Sequence, residues 1–254
     1  MIIIETMKTA SLFLIAGFLN ATCAQGPAAN PNNDTGFAVI ELFTSEGCSS
    51  CPPADALVAR IQKEYAGRPV YLLAYHVDYW NYLGWKDVFS APPFSDRQKQ
   101  YAAWLKARSV YTPQVVVNGN KEFVGTNEQA LRNSMTTDLQ KTPTGKLTIK
   151  IKSQEKAAVN VEYQAIGFAG SNYLLLAIVQ KSASTQVKRG ENSGKTLAHV
   201  QVVRSFQTVA LNNKSKGTVA VNLPEDLDQK DAEIIAIVQN NANGEIAAAA
   251  KVED

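Results

Sequence analysis

The chain has 254 residues, an apolar content of 45% and a formal net charge of +2 at pH 7. The small charge and the absence of a basic run argue against a nucleic-acid-binding protein, and no glycine-rich phosphate-binding motif supports nucleotide binding. Because this length exceeds one average domain, we expect two domains of moderate size.

The N-terminus has the order of a secretory signal. Lys8 precedes an apolar run at 12–19, and small residues follow it. Because the run is too short to span a bilayer, the pattern predicts a signal peptide over 1–24 that is removed by cleavage. Lipidation of Cys23 is the less favoured alternative, since the residues before it do not suit a lipoprotein cysteine. The expected location is therefore the periplasm or the exterior of the cell, with 25–36 as a linker.

Two cysteines, Cys48 and Cys51, remain after removal of the signal. They lie where an apolar run at 37–43, typical of a buried strand, meets a helix predicted over 52–65. A helix N-terminus lowers the pKa of a thiol through its free N–H groups and its dipole. In an oxidising compartment we expect the two cysteines to pair with each other. A disulfide that closes so short a loop removes little entropy from the unfolded chain and adds little stability, so a redox-active dithiol is favoured over a structural clip.

Pro52 and Pro53 indicate which cysteine reacts. Both lack a backbone N–H and fit only within the first helical turn. The helix is therefore predicted to begin near Cys51. Cys48 would lie on the preceding loop as the exposed, attacking thiol, and Cys51 would be the more buried, resolving one. The prolines also remove two donors that could stabilise a thiolate, so the depression of the pKa is expected to be modest.

The rest of the first half continues as strand, helix, two strands and helix. These elements are predicted at 70–77, 96–108, 114–117, 123–124 and 127–139. The dipeptide Asn118-Gly119 is the strongest local signal for a hairpin between the last two strands. The first two strands, joined by a helix, are expected to form a right-handed unit with parallel strands.

From Gly145 the pattern changes. Leu147, Ile149 and Ile151 alternate with polar residues, which is typical of a half-buried strand. Further strand candidates lie at 159–163, 173–180, 199–209, 216–221 and 234–239. Several short strands separated by turns predict an antiparallel β-sandwich. The domains are therefore placed at 37–142 and 145–254.

The order of these parts resembles the thioredoxin fold, with a C-x-x-C at the first helix and Thr112-Pro113 before the third strand. Longer motifs resemble a secreted bacterial thioredoxin-like family of unknown function. They are Glu41-Leu-Phe-Thr-Ser-Glu-Gly-Cys-Ser-Ser-Cys-Pro-Pro-Ala-Asp55, His76-Val-Asp-Tyr-Trp80, Leu83-Gly-Trp-Lys-Asp87, Arg97-Gln98, Tyr111-Thr-Pro-Gln114, Val116-Val-Asn-Gly119, Arg189-Gly-Glu-Asn192 and 197–204. The resemblance implies an α/β thioredoxin-like domain followed by a mostly antiparallel β-sandwich domain. It also implies a cis proline, with Thr112 and Pro113 near Cys48, but no particular reaction.

Three further residues are candidates for a substrate site. His76 ends the second strand at the sheet edge where ligands bind in open parallel sheets. It would be either a proton acceptor or copper ligand beside the dithiol, or a buried histidine that holds the next loop. Trp80 and Trp85 would either form a platform for a peptide substrate or close the core, and the second alternative is favoured because large rings bury much apolar area.

Two polar features have open interpretations. Glu46, two residues before Cys48, would raise the pKa of the thiol, relay a proton or point into water. The second half carries a polar cluster of Arg189, Glu191, Asn192 and His199. These side chains are expected to satisfy one another in a long loop, the alternative being that they face the dithiol.

The predicted function is that of an extracytoplasmic thiol–disulfide oxidoreductase-like protein that acts on protein or peptide thiols and disulfides without a cofactor. The Cys48 thiolate would attack, Cys51 would resolve the mixed disulfide, and Pro113 and Thr112 would contact the substrate. One alternative is Cu(I) binding or delivery by Cys48, Cys51 and His76, a soft ligand set. The other is a non-catalytic secreted binding protein with a structural disulfide.

Overall fold

The computed structural model of the protein describes residues 35–155, 157–212 and 214–252. The signal peptide predicted at 1–24 and all but the end of the linker predicted at 25–36 lie outside these residues. None of the helices in the described ranges is both long and apolar enough to span a membrane.

The first half alternates strands and helices. Its elements are β1 (Ala38–Thr44), α1 (Pro52–Glu64), β2 (Val70–His76), α2 (Pro92–Leu105), β3 (Gln114–Val117), β4 (Lys121–Val124) and α3 (Glu128–Leu139). β1 pairs in parallel with β2 and antiparallel with β3. The β3–β4 hairpin turns at Asn118 and Gly119, which both have positive φ, as the tightest hairpin turns require.

Helix α2 differs from its prediction at both ends. It begins at Pro92 rather than at Asp96, because Pro92 and Pro93 occupy its first turn, where no backbone N–H is needed. It ends at Leu105, since Lys106 adopts a left-handed conformation with φ of 54°.

The second half consists of strands. They are β5 (Lys146–Gln154), β6 (Ala158–Ile166), β7 (Asn172–Gln186), β8 (Thr196–Ala210), β9 (Lys216–Asn222), β10 (Ala232–Asn240) and β11 (Ile246–Lys251). β7 and β8 each have 15 residues and pair along almost their whole length. β7 is longer than predicted because it continues past its apolar run through polar, only partly buried residues at 181–186.

The strands form one eight-stranded sheet, in the order β11-β10-β7-β8-β2-β1-β3-β4, and one three-stranded sheet, β5-β6-β9. β8 joins β2 in parallel, with Ala74 opposite Val202. The outer edge of β2 is thus covered by a strand from the second half, and the sheet continues through both halves. Since unpaired strand edges attract other strands, this pairing also removes an exposed edge.

The predicted fold class, an α/β thioredoxin-like domain followed by a separate β-sandwich domain, is therefore wrong. The described residues are 43% strand and 19% helix, with one large mixed sheet. Local periodicity predicts strands but does not tell which strand pairs with a free edge, and this is where the prediction failed. The packing of β5 and β6 against β7 and β10 around one apolar core is compatible with a β-sandwich. The domain boundary at 142–145 stays a prediction.

Helices cover both faces of the sheet near β1. Apolar residues of α1 and α3 pack on one face, and Phe94 and Tyr101 of α2 lie on the other. Beneath α2, Arg97 donates to Glu41 of β1 at 2.6 Å and to Gln239 of β10 at 3.1 Å. The ion pair with Glu41 holds Arg97 in place, and the hydrogen bond to Gln239 joins it to a strand of the second half.

Candidate functional site

Cys48 and Cys51 form a disulfide between the end of β1 and the start of α1, with Cα atoms 5.4 Å apart. Cys51 is the N-cap of α1, and its carbonyl accepts a hydrogen bond from the N–H of Asp55 at 3.1 Å. Pro52 and Pro53 fill the first two helical positions. The pairing and the start of the helix therefore agree with the prediction from the sequence.

The predicted difference in exposure between the two cysteines is wrong. Both Cys48 and Cys51 are 0% exposed, and only Ser49 and Ser50 between them reach the surface. The disulfide is therefore buried, and a loop from the second half of the chain covers the segment that carries it.

The covering loop (residues 187–195), which connects β7 to β8, lies against the C-x-x-C segment. The buried Asn192 amide donates to the carbonyls of Glu46 and Cys48, each at 2.9 Å. The Glu191 carboxylate accepts from the Ser49 N–H at 3.0 Å, and this contact holds the pKa of Glu191 below its usual value. The expectation that these side chains satisfy only one another is thus wrong, because Glu191 and Asn192 bind the cysteine loop.

Replacing Asn192 with alanine is expected to open the covering loop. The substitution removes both amide bonds, so we expect a loss of about 1–3 kcal/mol in the free energy of unfolding. We also expect faster reduction of the disulfide by dithiothreitol, measured by thiol titration over time. Ser193→Ala is the matched control, because this exposed hydroxyl donates only to the Lys188 carbonyl. Equal reduction rates in the two variants would contradict this role of the loop.

Five buried ionisable side chains pack with one another, and we call them the acid–histidine cluster: Glu46, Asp55, His76, Asp87 and His199. His199 Nε2 lies 3.5 Å from Glu46 Oε1, and its Nδ1 lies 3.6 Å from Asp55 Oδ1. His76 Nδ1 lies 2.7 Å from Asp87 Oδ2. The two imidazole rings are 4.7 Å apart and nearly perpendicular.

Neighbouring donors fix the carboxylates of this cluster. The Glu46 N–H donates to Asp87 at 2.8 Å, and the Trp85 indole donates to Glu46 at 2.7 Å. The Thr44 hydroxyl donates to Asp55 at 3.1 Å. Glu46 therefore does not point into water, and Trp85 serves the cluster rather than an open platform.

The cluster shifts the pKa values of two of its members. Burial alone would lower the pKa of His199, but the attraction of Asp55 and Glu46 outweighs it and raises this pKa to about 9. Burial would raise the pKa of Asp87, but His76 and backbone N–H groups hold it below its usual value. At neutral pH, His199 is therefore an imidazolium between two acidic side chains.

Several polar atoms of the cluster are buried without a hydrogen-bond partner among the described residues. They are Glu46 Oε1, His76 Nε2 and both ring nitrogens of His199. Three of these atoms lie in the ion pairs of His199 with Glu46 and Asp55, which at 3.5 and 3.6 Å are longer than ordinary hydrogen bonds. Buried ionisable groups with shifted pKa values and incomplete hydrogen bonding are candidates for a functional site.

Thr112 and Pro113 directly precede β3. The Thr112–Pro113 bond is cis. Trp80 donates to the Thr112 hydroxyl at 2.8 Å, and a Cβ added to Gly47 would lie 3.1 Å from Trp80 Cβ. Trp80 therefore links the cysteine loop to Thr112. The Pro113 carbonyl already accepts from the N–H of Gly125.

No group of three or more His, Cys, Asp or Glu side chains within the described ranges could hold a metal ion. His76 instead bonds Asp87 and packs against His199. The copper hypothesis based on Cys48, Cys51 and His76 therefore stays a prediction without a supporting observation.

Sequence reasoning missed the role of Asp55 and Asp87, and it left His199 in a separate cluster. One signal was available, since the chain has only two histidines and both belong to the acid–histidine cluster. The scarcity of histidine could therefore have indicated that His76 and His199 lie in one site.

The chain is similar in structure to protein AGR_C_4864 from Agrobacterium tumefaciens, with 27% identity, a TM-score of 0.64 and coverage of 84% of this chain and 92% of that chain. A domain of the outer membrane lipoprotein Omp28 from Porphyromonas gingivalis has 9% identity and a TM-score of 0.25, covering 44% of this chain and 89% of that one. The latter likeness is too weak to support an argument. A search of curated proteins found no match.

A family described as a protein of unknown function, DUF1223, matches residues 39–239. This range contains the disulfide, the covering loop and all five members of the acid–histidine cluster. The chain therefore belongs to the DUF1223 family.

Proposed function

We propose that the protein is an extracytoplasmic thiol–disulfide oxidoreductase whose reacting centre is the Cys48–Cys51 pair. One observation carries the proposal: the Cys48–Cys51 disulfide lies at a helix N-terminus, and the sequence on both sides of it supplies members of the buried acid–histidine cluster. Glu46 lies two residues before Cys48, and Asp55 lies four residues after Cys51. Perturbed ionisable groups beside a dithiol are typical of functional sites.

The reaction is an exchange of disulfides. In the reduced protein, the Cys48 thiolate attacks a substrate disulfide, a bond forms between the two sulfurs, and the other substrate sulfur leaves as a thiolate. Cys51 then attacks Cys48, releases the second substrate thiol and restores the disulfide, and the reverse sequence oxidises a dithiol substrate. Because both cysteines are buried, access requires displacement of the covering loop.

The substrates are protein or peptide thiols and disulfides. Trp80 and Thr112, joined by a hydrogen bond, lie beside the cysteine loop, and Tyr82 is 81% exposed nearby in the chain. Aromatic surfaces of this kind suit apolar peptide segments. An oxidising compartment, which the signal predicted at 1–24 would supply, keeps such a pair oxidised between turnovers.

The reduction potential of the pair tests the proposal. Redox-active pairs lie between about −270 and −120 mV, and we expect a value in this range from equilibration with glutathione or dithiothreitol buffers. A value below about −300 mV would identify a structural clip.

Two cysteine variants give an independent measurement. Reduced Cys51→Ser, mixed with a peptide disulfide, is expected to keep one half of the peptide as a mixed disulfide on Cys48 while the other half leaves as a thiolate, and mass spectrometry detects this product. Cys48→Ser is the matched control and should trap much less. Equal trapping by both would contradict the assigned roles.

A further inference from the structure

We propose that the covering loop carries a docking face for acidic redox partners, which are peptide or protein segments with carboxylates close to their reacting sulfur. We call this surface the cationic face, and it consists of Lys86, Lys188, Arg189 and Lys195. The inference rests on the proposed function and narrows its substrates. It gives the loop that buries the disulfide a second role, the recognition of the molecule that reacts there.

The first support is the concentration of positive charge in the covering loop. Residues 187–195 contain three cations, Lys188, Arg189 and Lys195, and one acidic residue, Glu191, so their formal charge is +2. The whole chain has the same net charge of +2, and the rest of the chain therefore balances to zero. All four residues are exposed. Exposed charge of one sign attracts partners of the opposite sign and speeds their association.

The second support is that most of these cations are not neutralised by the protein itself. Within the part of the chain that the structure describes, the side chains of Lys86, Lys188 and Arg189 take part in no ion pair and no hydrogen bond. The nearby Glu191 carboxylate accepts from the Ser49 N–H at 3.0 Å instead. A carboxylate of a partner can therefore bind these cations without displacing an internal anion.

The third support is the position of the cationic face. The Asn192 amide, in the middle of the covering loop, donates to the Cys48 carbonyl at 2.9 Å. A Cβ added to Gly190 would lie 3.2 Å from Trp85 Cβ, so the loop also lies against the segment that carries the exposed Lys86. A partner that approaches the disulfide from this side meets the cations of the loop.

The covering loop is closed by its own hydrogen bonds. The Val187 N–H donates to the Lys195 carbonyl at 2.9 Å, and the Gly194 N–H donates to the Val187 carbonyl at 2.8 Å. Lys195 Nζ also donates to the Asn192 amide oxygen at 3.0 Å. We expect these bonds to keep the cations together when the loop is displaced. A carboxylate bound to the loop would then stay near the cysteines during the reaction.

The buried carboxylates of the acid–histidine cluster do not take over the role of a partner anion. Glu46 and Asp55 lie 3.5 and 3.6 Å from the ring nitrogens of His199. Asp87 lies 2.7 Å from His76 Nδ1. These acids are directed at buried histidines, so the cations in contact with solvent stay available to a partner.

Tyr82 and Val88 add apolar contact beside the cationic face. Both side chains are exposed, and they flank Lys86 in the chain. A segment with acidic and apolar side chains next to its cysteine can use both kinds of contact, whereas a small anion can use only the cations. We therefore assign the face to peptide and protein segments.

Two dithiols that differ in charge test the inference. Dihydrolipoate carries a carboxylate and dihydrolipoamide a neutral amide, both far enough from the thiols to leave their reactivity alike. In each case one thiolate attacks the protein disulfide, and the released cysteine thiolate takes a proton from solvent. The second thiolate then attacks the mixed disulfide, which leaves both cysteines reduced and the reagent as a cyclic disulfide.

We expect dihydrolipoate to reduce the protein about 5-fold faster than dihydrolipoamide at about 10 mM salt, because the cationic face attracts its carboxylate. At about 1 M salt, where screening acts within about 3 Å, the two rates should be equal. Alkylation of the released thiols and mass spectrometry measure both rates, in the range where they are proportional to reagent concentration. Equal rates at low salt would overturn the inference.

The double variant Lys188→Gln/Arg189→Gln should bring the ratio of the two rates close to 1 at low salt. A change in the opening of the loop would alter both rates by one factor and leave their ratio unchanged, so the ratio reports charge alone. Lys150→Gln/Lys152→Gln is the matched control, because it removes two exposed cations from β5, a strand of the other sheet. An unchanged ratio in the loop variant, or an equal fall in the control, would contradict the assignment.

Peptide disulfides test the class of partner. The reduced protein should reduce a peptide whose cysteine is flanked by glutamates about 5-fold faster than one flanked by lysines at low salt. Equal rates with the two peptides would restrict the face to small anions and overturn the inference. A reduction potential below about −300 mV would remove the proposed function alone, because the reduced protein would still attack both peptides and show the preference.

Discussion

Replacing Arg97 with methionine is expected to lower the free energy of unfolding by about 3–5 kcal/mol, the usual cost of removing one partner from a buried ion pair. Glu41 is 0% exposed and would lose the cation that it binds at 2.6 Å. Tyr101 donates to the same carboxylate and also bonds Arg97, so it would lose a partner. Burial disfavours the charge of Arg97, but Glu41 offsets this and raises the arginine pKa further.

Urea unfolding measures this loss of stability. A double variant and a surface control show whether it comes from the unpaired buried charge. In the double variant Glu41→Leu/Arg97→Met no charge remains unpaired, so we expect a smaller loss than in the single variant. Arg132→Met is the matched control, because Arg132 binds Glu64 and Glu128 at the surface, where ion pairs contribute about 0–1 kcal/mol. If Arg97→Met cost no more than the control, the buried pair would contribute no more to stability than an ion pair at the surface.

The second large effect concerns pH. The pKa of His199 is about 9 in the folded protein and about 6.5 in the unfolded chain. A raised pKa contributes stability that is complete below pH 6.5 and is lost as pH rises to about 9. This difference in pKa corresponds to about 3 kcal/mol of folding stability, and we expect the free energy of unfolding to fall by about this amount across the window.

Unfolding curves between pH 6 and 10 measure this dependence. His199→Gln should be less stable than the wild type at pH 6, and its stability should be almost independent of pH across the same window. Below pH 4 both proteins should weaken alike, because the lowered pKa of Asp87 contributes stability that is lost as pH falls. A wild-type curve without a decline from pH 6.5 to 9 would show that the carboxylates do not hold the proton.

Local features of the fold were predictable where a residue type allows only a few backbone conformations or positions. Pro52 and Pro53 fix the start of α1, because a residue without an N–H fits only there. Asn118-Gly119 fixes the hairpin, since both residues tolerate positive φ. The pairing of β8 with β2 was not predictable, because it joins Ala74 to the distant Val202 and no local pattern records it.

In the candidate site, too, local features were predictable and contacts between distant segments were not. The pairing of the two cysteines follows from their spacing, whereas the sequence left the roles of Glu46 and His76 open. The burial of both cysteines depends on Asn192, whose amide has no sequence signal that directs it to the Cys48 carbonyl. His199 was recognised as polar, but its neighbours Glu46 and Asp55 come from elements far away in the chain.

The covering loop has a consequence for the order in which the protein matures. Asn192 follows Cys48 by 144 residues, so the cysteines leave the ribosome and cross any membrane long before the segment that buries them. During this interval the Asn192 amide is not yet present to bind the carbonyls of Glu46 and Cys48. Once the covering loop has bound there, both cysteines are buried. Synthesis from the N-terminus thus gives the disulfide an early period of open access and a later period of protection.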